Sequence, residues 1–180
     1  MRGAREPSTS GTFRQRGMVD REASAKATRG TLPNVMTDPA ASPPTDTDAA
    51  VDHILTTYRS FAIVGASPRP WRPSHGVMLT LAAHGYEVIP VNPTCSEVDG
   101  RPTHPDLTDA ATGHTIEVVD IFRRSELAGA HVDEAIAIGA RAVWMQLGVI
   151  DHAAAQRARA AGLVVVMDRC PAIELRRRAA

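Results

Sequence analysis

Residues 60–93, SFAIVGASPRPWRPSHGVMLTLAAHGYEVIPVNP, decide the fold. Phe61-Ala-Ile-Val-Gly65 is a short apolar run closed by glycine, the signature of a buried strand. A Pro- and Arg-rich connection follows. From Ser74 to His84, Val77, Met78, Leu81 and Ala82 recur at helical spacing, and Gly85 is a natural helix stop. Tyr86-Glu-Val-Ile-Pro-Val91 is a second apolar run. A strand, a helix and a strand in this order form a βαβ unit, whose two strands run parallel.

The same alternation continues outward from this unit. Upstream, Asp46-Thr-Asp48 offers helix caps, and Ala49, Val51, Ile54, Leu55 and Tyr58 predict a helix over about 48–58. Downstream, Ile116–Ile121 is a strand, Ser125–Ile138 a helix stopped by Gly139, and Ala142–Gln146 a strand. Asp151–Ala161 is a helix stopped by Gly162, Leu163–Met167 the last strand, and Glu174–Arg178 a short basic end. Residues 94–114 are irregular, with Arg101-Pro-Thr as a short strand and Leu107–Ala111 as a helical turn. Near-continuous apolar strands are buried on both faces. The expected fold is α/β: a Rossmann-like, doubly wound, mostly parallel sheet of five strands with helices on both faces.

Residues 1–45 are rich in Arg, Ser, Thr, Pro and Gly and lack periodic apolar positions. They are expected to be a disordered tail, or the product of a start codon placed too early, because they cannot bury enough surface to offset ordering. The folded domain is expected over 46–180. Its 43% hydrophobic content includes only 4% aromatics, so Ala, Val, Ile and Leu must build the core. The formal net charge is zero, which gives no bulk attraction to nucleic acid or to an anionic membrane. No apolar run has the roughly 18 residues of a membrane span. Cys95 and Cys170 read as reduced thiols. A cytoplasmic location is the expectation; protein partners cannot be read from the sequence.

In an open α/β sheet, ligands bind beyond the carboxyl ends of the strands. That rule selects Gly65–Ser74, Asn92–Cys95, Phe122–Ser125, Leu147–Asp151 and Asp168–Cys170. The first loop is long for a βα connection. Gly65 permits a tight turn, Ser67 adds a hydroxyl, and Ser74 is placed to cap the next helix, whose amino end favours a phosphate. Arg69 and Arg72 can grip the same phosphate bidentately. Phe122 can pack on a base or an aliphatic arm, and Arg123 can hold an anion. Gln146, polar at the end of a buried strand, needs a partner. Asp168 and Arg169 are expected to pair with each other or with the first loop. Cys170 is either a small buried residue or a thiol at the site mouth.

The dinucleotide fingerprint G-x-G-x-x-G is absent, and Asn92 stands where a nicotinamide site places an acid. A nicotinamide-dependent oxidoreductase with an atypical fingerprint is therefore the second reading. There is no P-loop, no G-x-S-x-G elbow and no zinc spacing among the seven histidines. No metal ligands and no catalytic constellation emerge.

Val64-Gly-Ala-Ser67, Arg72-Pro-Ser74, Val88-Ile-Pro-Val-Asn-Pro93, Val119-Asp-Ile-Phe-Arg123, Trp144-Met-Gln-Leu-Gly148 and Val166-Met-Asp-Arg-Cys-Pro171 occur in this order. Together they resemble the small stand-alone CoA-binding proteins, which are similar to the amino-terminal domain of the succinyl-CoA ligase alpha subunit. The likeness covers about residues 50–178. It implies a Rossmann-like domain binding coenzyme A or an acyl-CoA without catalysis, since the ligase reaction needs a further domain and a partner subunit. Gly65, Ala66, Ser67, Arg72, Ser74, Asn92, Pro93, Phe122, Arg123, Gln146, Gly148 and Cys170 are the expected contact residues.

Overall fold

The computed structural model describes Pro44 and residues 46–179. All of the expected tail, 1–45, except Pro44 lies outside them. In chain order the elements are α1 (Thr47–Thr57), β1 (Ser60–Val64), α2 (Pro73–Ala83), β2 (Glu87–Val91), β3 (Glu97–Val98) and β4 (Arg101–Pro102). They continue with α3 (Leu107–Gly113), β5 (Val118–Ile121), α4 (Ser125–Ala137), β6 (Ala142–Met145), α5 (His152–Ala160), β7 (Val164–Val166) and α6 (Pro171–Arg178).

Five strands form one parallel sheet in the order β2-β1-β5-β6-β7. From β1 the chain steps to one neighbour, β2, and later returns to the other, β5. The carboxyl ends of β1 and β5 are therefore the switch point, where an open sheet leaves a crevice. Alternate strand residues divide the core. Ala62, Val64, Val119, Ile121, Val143 and Met145 face α3, α4 and α5. Phe61, Ile63, Val118 and Trp144 face α1, α2 and α6. Helices thus cover both faces, as the double winding requires.

The edge strand β2 is guarded. Pro90 cannot donate outward, its carbonyl accepts from His104 N, and Asn92 N donates to the His104 carbonyl. β3 and β4 form a small antiparallel ribbon beside it. Two expectations change. α2 begins at Pro73, one residue before the expected cap, because proline fits the first helical position and lacks the amide that would go unpaired there. The carboxyl end is a helix from Pro171 rather than a short basic tail, with Ala172 and Leu175 buried against the sheet.

Candidate functional site

A cleft of about 1030 Å³ opens at the carboxyl ends of the strands. All five loops selected from the sequence contribute to it. Ten of the twelve expected contact residues line it: Gly65, Ser67, Arg72, Ser74, Asn92, Phe122, Arg123, Gln146, Gly148 and Cys170. Ala66 and Pro93 do not. Ala66 is fully buried behind the loop and offers its carbonyl to Asn92 Nδ2 at 2.6 Å. Pro93 is exposed, away from the lining.

The loop after β1 is braced from within. Arg69 N donates to Ser67 Oγ at 3.3 Å, and His75 Nδ1 hydrogen-bonds the Ser67 carbonyl at 3.1 Å. Asn92 ties the loop to the β2 end: while Nδ2 holds Ala66, Oδ1 accepts from Thr94 N and Oγ1 at 2.9 and 2.8 Å. Its amide is thus committed to shaping the loop. Gly65 has φ +87°, and a β-carbon there would lie 2.6 Å from the Phe122 carbonyl oxygen and 3.5 Å from Arg123 Nε. Only glycine lets β1 and β5 end this close, and the same packing lays Arg123 over the start of the loop.

Ser74 does not cap α2. Arg72 occupies the N-cap position without a side-chain cap bond, so Ser74 falls inside the first turn. It is only 4% exposed. Its hydroxyl has no bond among the described residues, yet no buried side-chain polar atom there lacks a partner. Ser74 lines the cleft beside the free amides of the helix start. Arg69, Arg72, Arg123 and Arg124 share that cleft and make no ion pair among the described residues; the lining includes no acid. Four guanidinium groups without an ion pair among the described residues, beside a helix amino end, are chemically suited to an anion.

The other side of the site is built by the β6 and β7 ends. Asp168 adopts φ 54°, an uncommon backbone for a residue with a side chain. Its carboxylate accepts from Gly148 N at 2.7 Å and so fastens the two loops together. Arg169 turns away to Asp48 and Glu174, so the expected pairing of Asp168 with Arg169 or with the first loop is not made. Ser125 Oγ bridges the Gly148 carbonyl and Ile150 N. Leu127 and Leu147, 47% and 57% exposed, give the cleft an apolar lip. Cys95 and Cys170 both line it as free thiols. Cys95, Thr94, Arg124, Leu127 and Leu147 were absent from the expected contacts. Thr94, Cys95, Arg124 and Leu147 lie within the selected loops, whereas Leu127 lies two residues beyond one and joins the site only through folding.

Beneath Gln146 lies Asp120, fully buried in β5. Gln146 Nε2 donates to both carboxylate oxygens, at 2.7 and 2.9 Å. Burial pushes the Asp120 carboxyl up to about 8, a rise that the Gln146 hydrogen bond partly opposes. An acid in an otherwise apolar strand, Val118-Val-Asp-Ile121, was a visible signal with no role assigned to it.

Comparison with known proteins agrees with the fold. Residues 59–176 match the model of the CoA binding domain family. Uncharacterized protein YneT of Bacillus subtilis (strain 168) is 36% identical over 122 residues, covering 68% of this chain and 89% of that protein. A hypothetical protein from Pyrococcus horikoshii OT3 is similar in structure, with 40% identity and a TM-score of 0.71 over 78% of this chain and 98% of that one. Prb, the PH1109 protein redesigned for binding, shares 43% identity with a TM-score of 0.69 over 74% of this chain and 94% of that one. The family match spans the whole sheet, the relative and solved structures share this fold, and the chain belongs to the CoA binding domain family.

Proposed function

We propose that the protein binds coenzyme A or an acyl-CoA in this cleft and does no chemistry on it. The composition of the lining carries the reading: four arginines and two thiols, with no Asp, Glu, His, Lys or Tyr. Arginines and the α2 amino end suit the phosphates of a nucleotide. Leu127, Leu147 and Val149 suit the less polar arm that carries the acyl group. A lining without carboxylate or imidazole offers no ordinary general acid or base for thioester hydrolysis or hydride transfer.

Coenzyme A at 100 times its dissociation constant should stabilise the protein by about 2.7 kcal/mol, read as a rise in melting temperature. Arg72→Ala or Arg123→Ala should weaken binding about tenfold or more, the loss of one charge-assisted contact. An acyl-CoA incubated with the protein should be recovered intact by chromatography. Absence of a melting shift at millimolar coenzyme A would overturn the binding reading; conversion of the thioester would overturn the non-catalytic one. NAD(H) and NADP(H) in the same panel test the oxidoreductase alternative.

A further inference from the structure

Gln146 is 5% exposed and lines the cleft. Its Nε2 is spent on Asp120. Its Oε1 makes no hydrogen bond among the described residues, which leaves it for a ligand in the cleft that Gln146 lines. The pair is stacked along the strand direction: Asp120 registers with Trp144, and Gln146 stands two residues beyond it, between the carboxyl group and the site. An amide has two faces of opposite hydrogen-bonding sense. Whichever face Asp120 takes, the ligand meets the other.

We propose that Asp120 and Gln146 form a proton-governed specificity element in the cleft floor, Gln146 turning its carbonyl to the ligand when Asp120 is ionised and its N–H2 when Asp120 is protonated. The ionised carboxylate only accepts, so it takes Nε2, as seen here. The protonated acid keeps one accepting oxygen but gains an O–H that Nε2 cannot receive; turning the amide over offers that O–H the Oε1 acceptor. The low polarity around Asp120 favours the turned amide, since an O–H left without an acceptor there is a buried donor unpaired. In the flanking strands its register neighbours are Ile63 and Trp144, and no charged group contributes to its shift. On the sheet face shared by Val118 and Trp144, the start of α2 carries Ser74, Val77 and His75, the last bonded to the Ser67 carbonyl. On the α6 side stand Cys170 and Glu174, the latter paired with Arg169, Arg177 and Arg178, and α1 on the same sheet face carries Asp48 and Asp52, paired with Arg169 and Arg178. Because the carboxyl titrates at about 8, the amide presents N–H2 at neutral pH and reads a carbonyl or phosphoryl oxygen. Above that pH it presents an acceptor and reads an N–H. Asp120 is a positioning residue, and Gln146 makes the contact.

The inference rests on the coenzyme A reading of the cleft only for its ligand. In a Cys95→Ser, Cys170→Ser background, which keeps the cleft thiols from reacting with the ligand, coenzyme A affinity is measured by calorimetry from about pH 6 to about pH 9.5. Affinity is expected to change roughly tenfold through Asp120's titration, about one exchanged hydrogen bond, and Asp120→Asn is expected to remove that step. Parallel profiles for the two proteins would overturn the proposal. Independently of any ligand, the Asp120 carboxyl carbon and the Gln146 side-chain amide are followed by NMR in the wild-type protein. A shared midpoint supports the turnover; an amide signal that stays fixed while Asp120 titrates overturns it. If coenzyme A fails to bind at every pH, the ligand reading falls, and the NMR titration still decides whether the pair switches.

Discussion

A β-carbon at Gly65 would meet the Phe122 carbonyl oxygen at 2.6 Å, a backbone atom of the neighbouring strand end. It cannot be relieved by rotating a side chain, only by parting β1 from β5. The residue also sits at φ +87°, where a side chain costs about 1–2 kcal/mol. Gly65→Ala is therefore expected to cost about 2–5 kcal/mol in denaturant unfolding, strain and overpacking together. A change below about 0.5 kcal/mol, the size of an ordinary surface substitution, would mean that the close approach is not real. The same contact places Arg123 Nε near the loop. Residue-scale sterics at one glycine thus help set the charge of the site. Glycine's turn was legible in the sequence; its second duty, letting Phe122 and Arg123 close in, needed the position of β5.

Elements were legible where apolar runs and helix stops coincide. β1, β2, β5 and β6 fall on the expected runs, and α2, α4 and α5 end at the glycines that mark them. α6 was harder. Only four of its residues are buried, and Cys170-Pro171 reads as a break although proline suits the first helical turn. The site followed from the strand-end rule, which depends on topology alone, so its loops were found before its side chains. Leu127 escaped because it belongs to the first turn of α4 and enters the cleft only once Ser125 fixes that turn to Gly148 and Ile150. α5 shows how a cap supports the site from a distance. Asp151 accepts from Ala154 N at 2.9 Å and fixes where the β6–α5 loop ends. Asp151→Ala should cost about 1 kcal/mol in thermal unfolding. An unchanged melting temperature would show that tertiary packing of the alanine face alone holds the helix.

At the scale of the whole molecule, the buried carboxyl of Asp120 couples stability to pH. Its folded value, about 8, lies above the ordinary 3.8. Between those values the native chain keeps a proton that the unfolded chain has released. Raising the pH through this window therefore favours unfolding, and the loss is complete once the native carboxyl ionises, above about 8. This is opposite to the usual paired carboxylate, whose stabilisation grows with pH over its own titration. Other groups contribute their own slopes, but they are common to the wild type and to Asp120→Asn, which keeps a hydrogen-bonding side chain and cannot ionise. The difference in unfolding free energy between the two should thus tilt steadily toward the variant from about pH 4 to about pH 8, by a few kcal/mol, and level off beyond. Urea melts at three or four pH values across the window test this. A difference that stays constant with pH would mean that the carboxyl reaches solvent in the native state and that its place beneath Gln146 carries no energetic consequence. The core fixes the sign of this effect: Asp120 has no exposed surface, and among the described residues Gln146 is its one hydrogen-bonding side chain. The sheet keeps a neutral acid more readily than a charged one, and the rest of the fold supplies the stability that makes an ionisable group tolerable there.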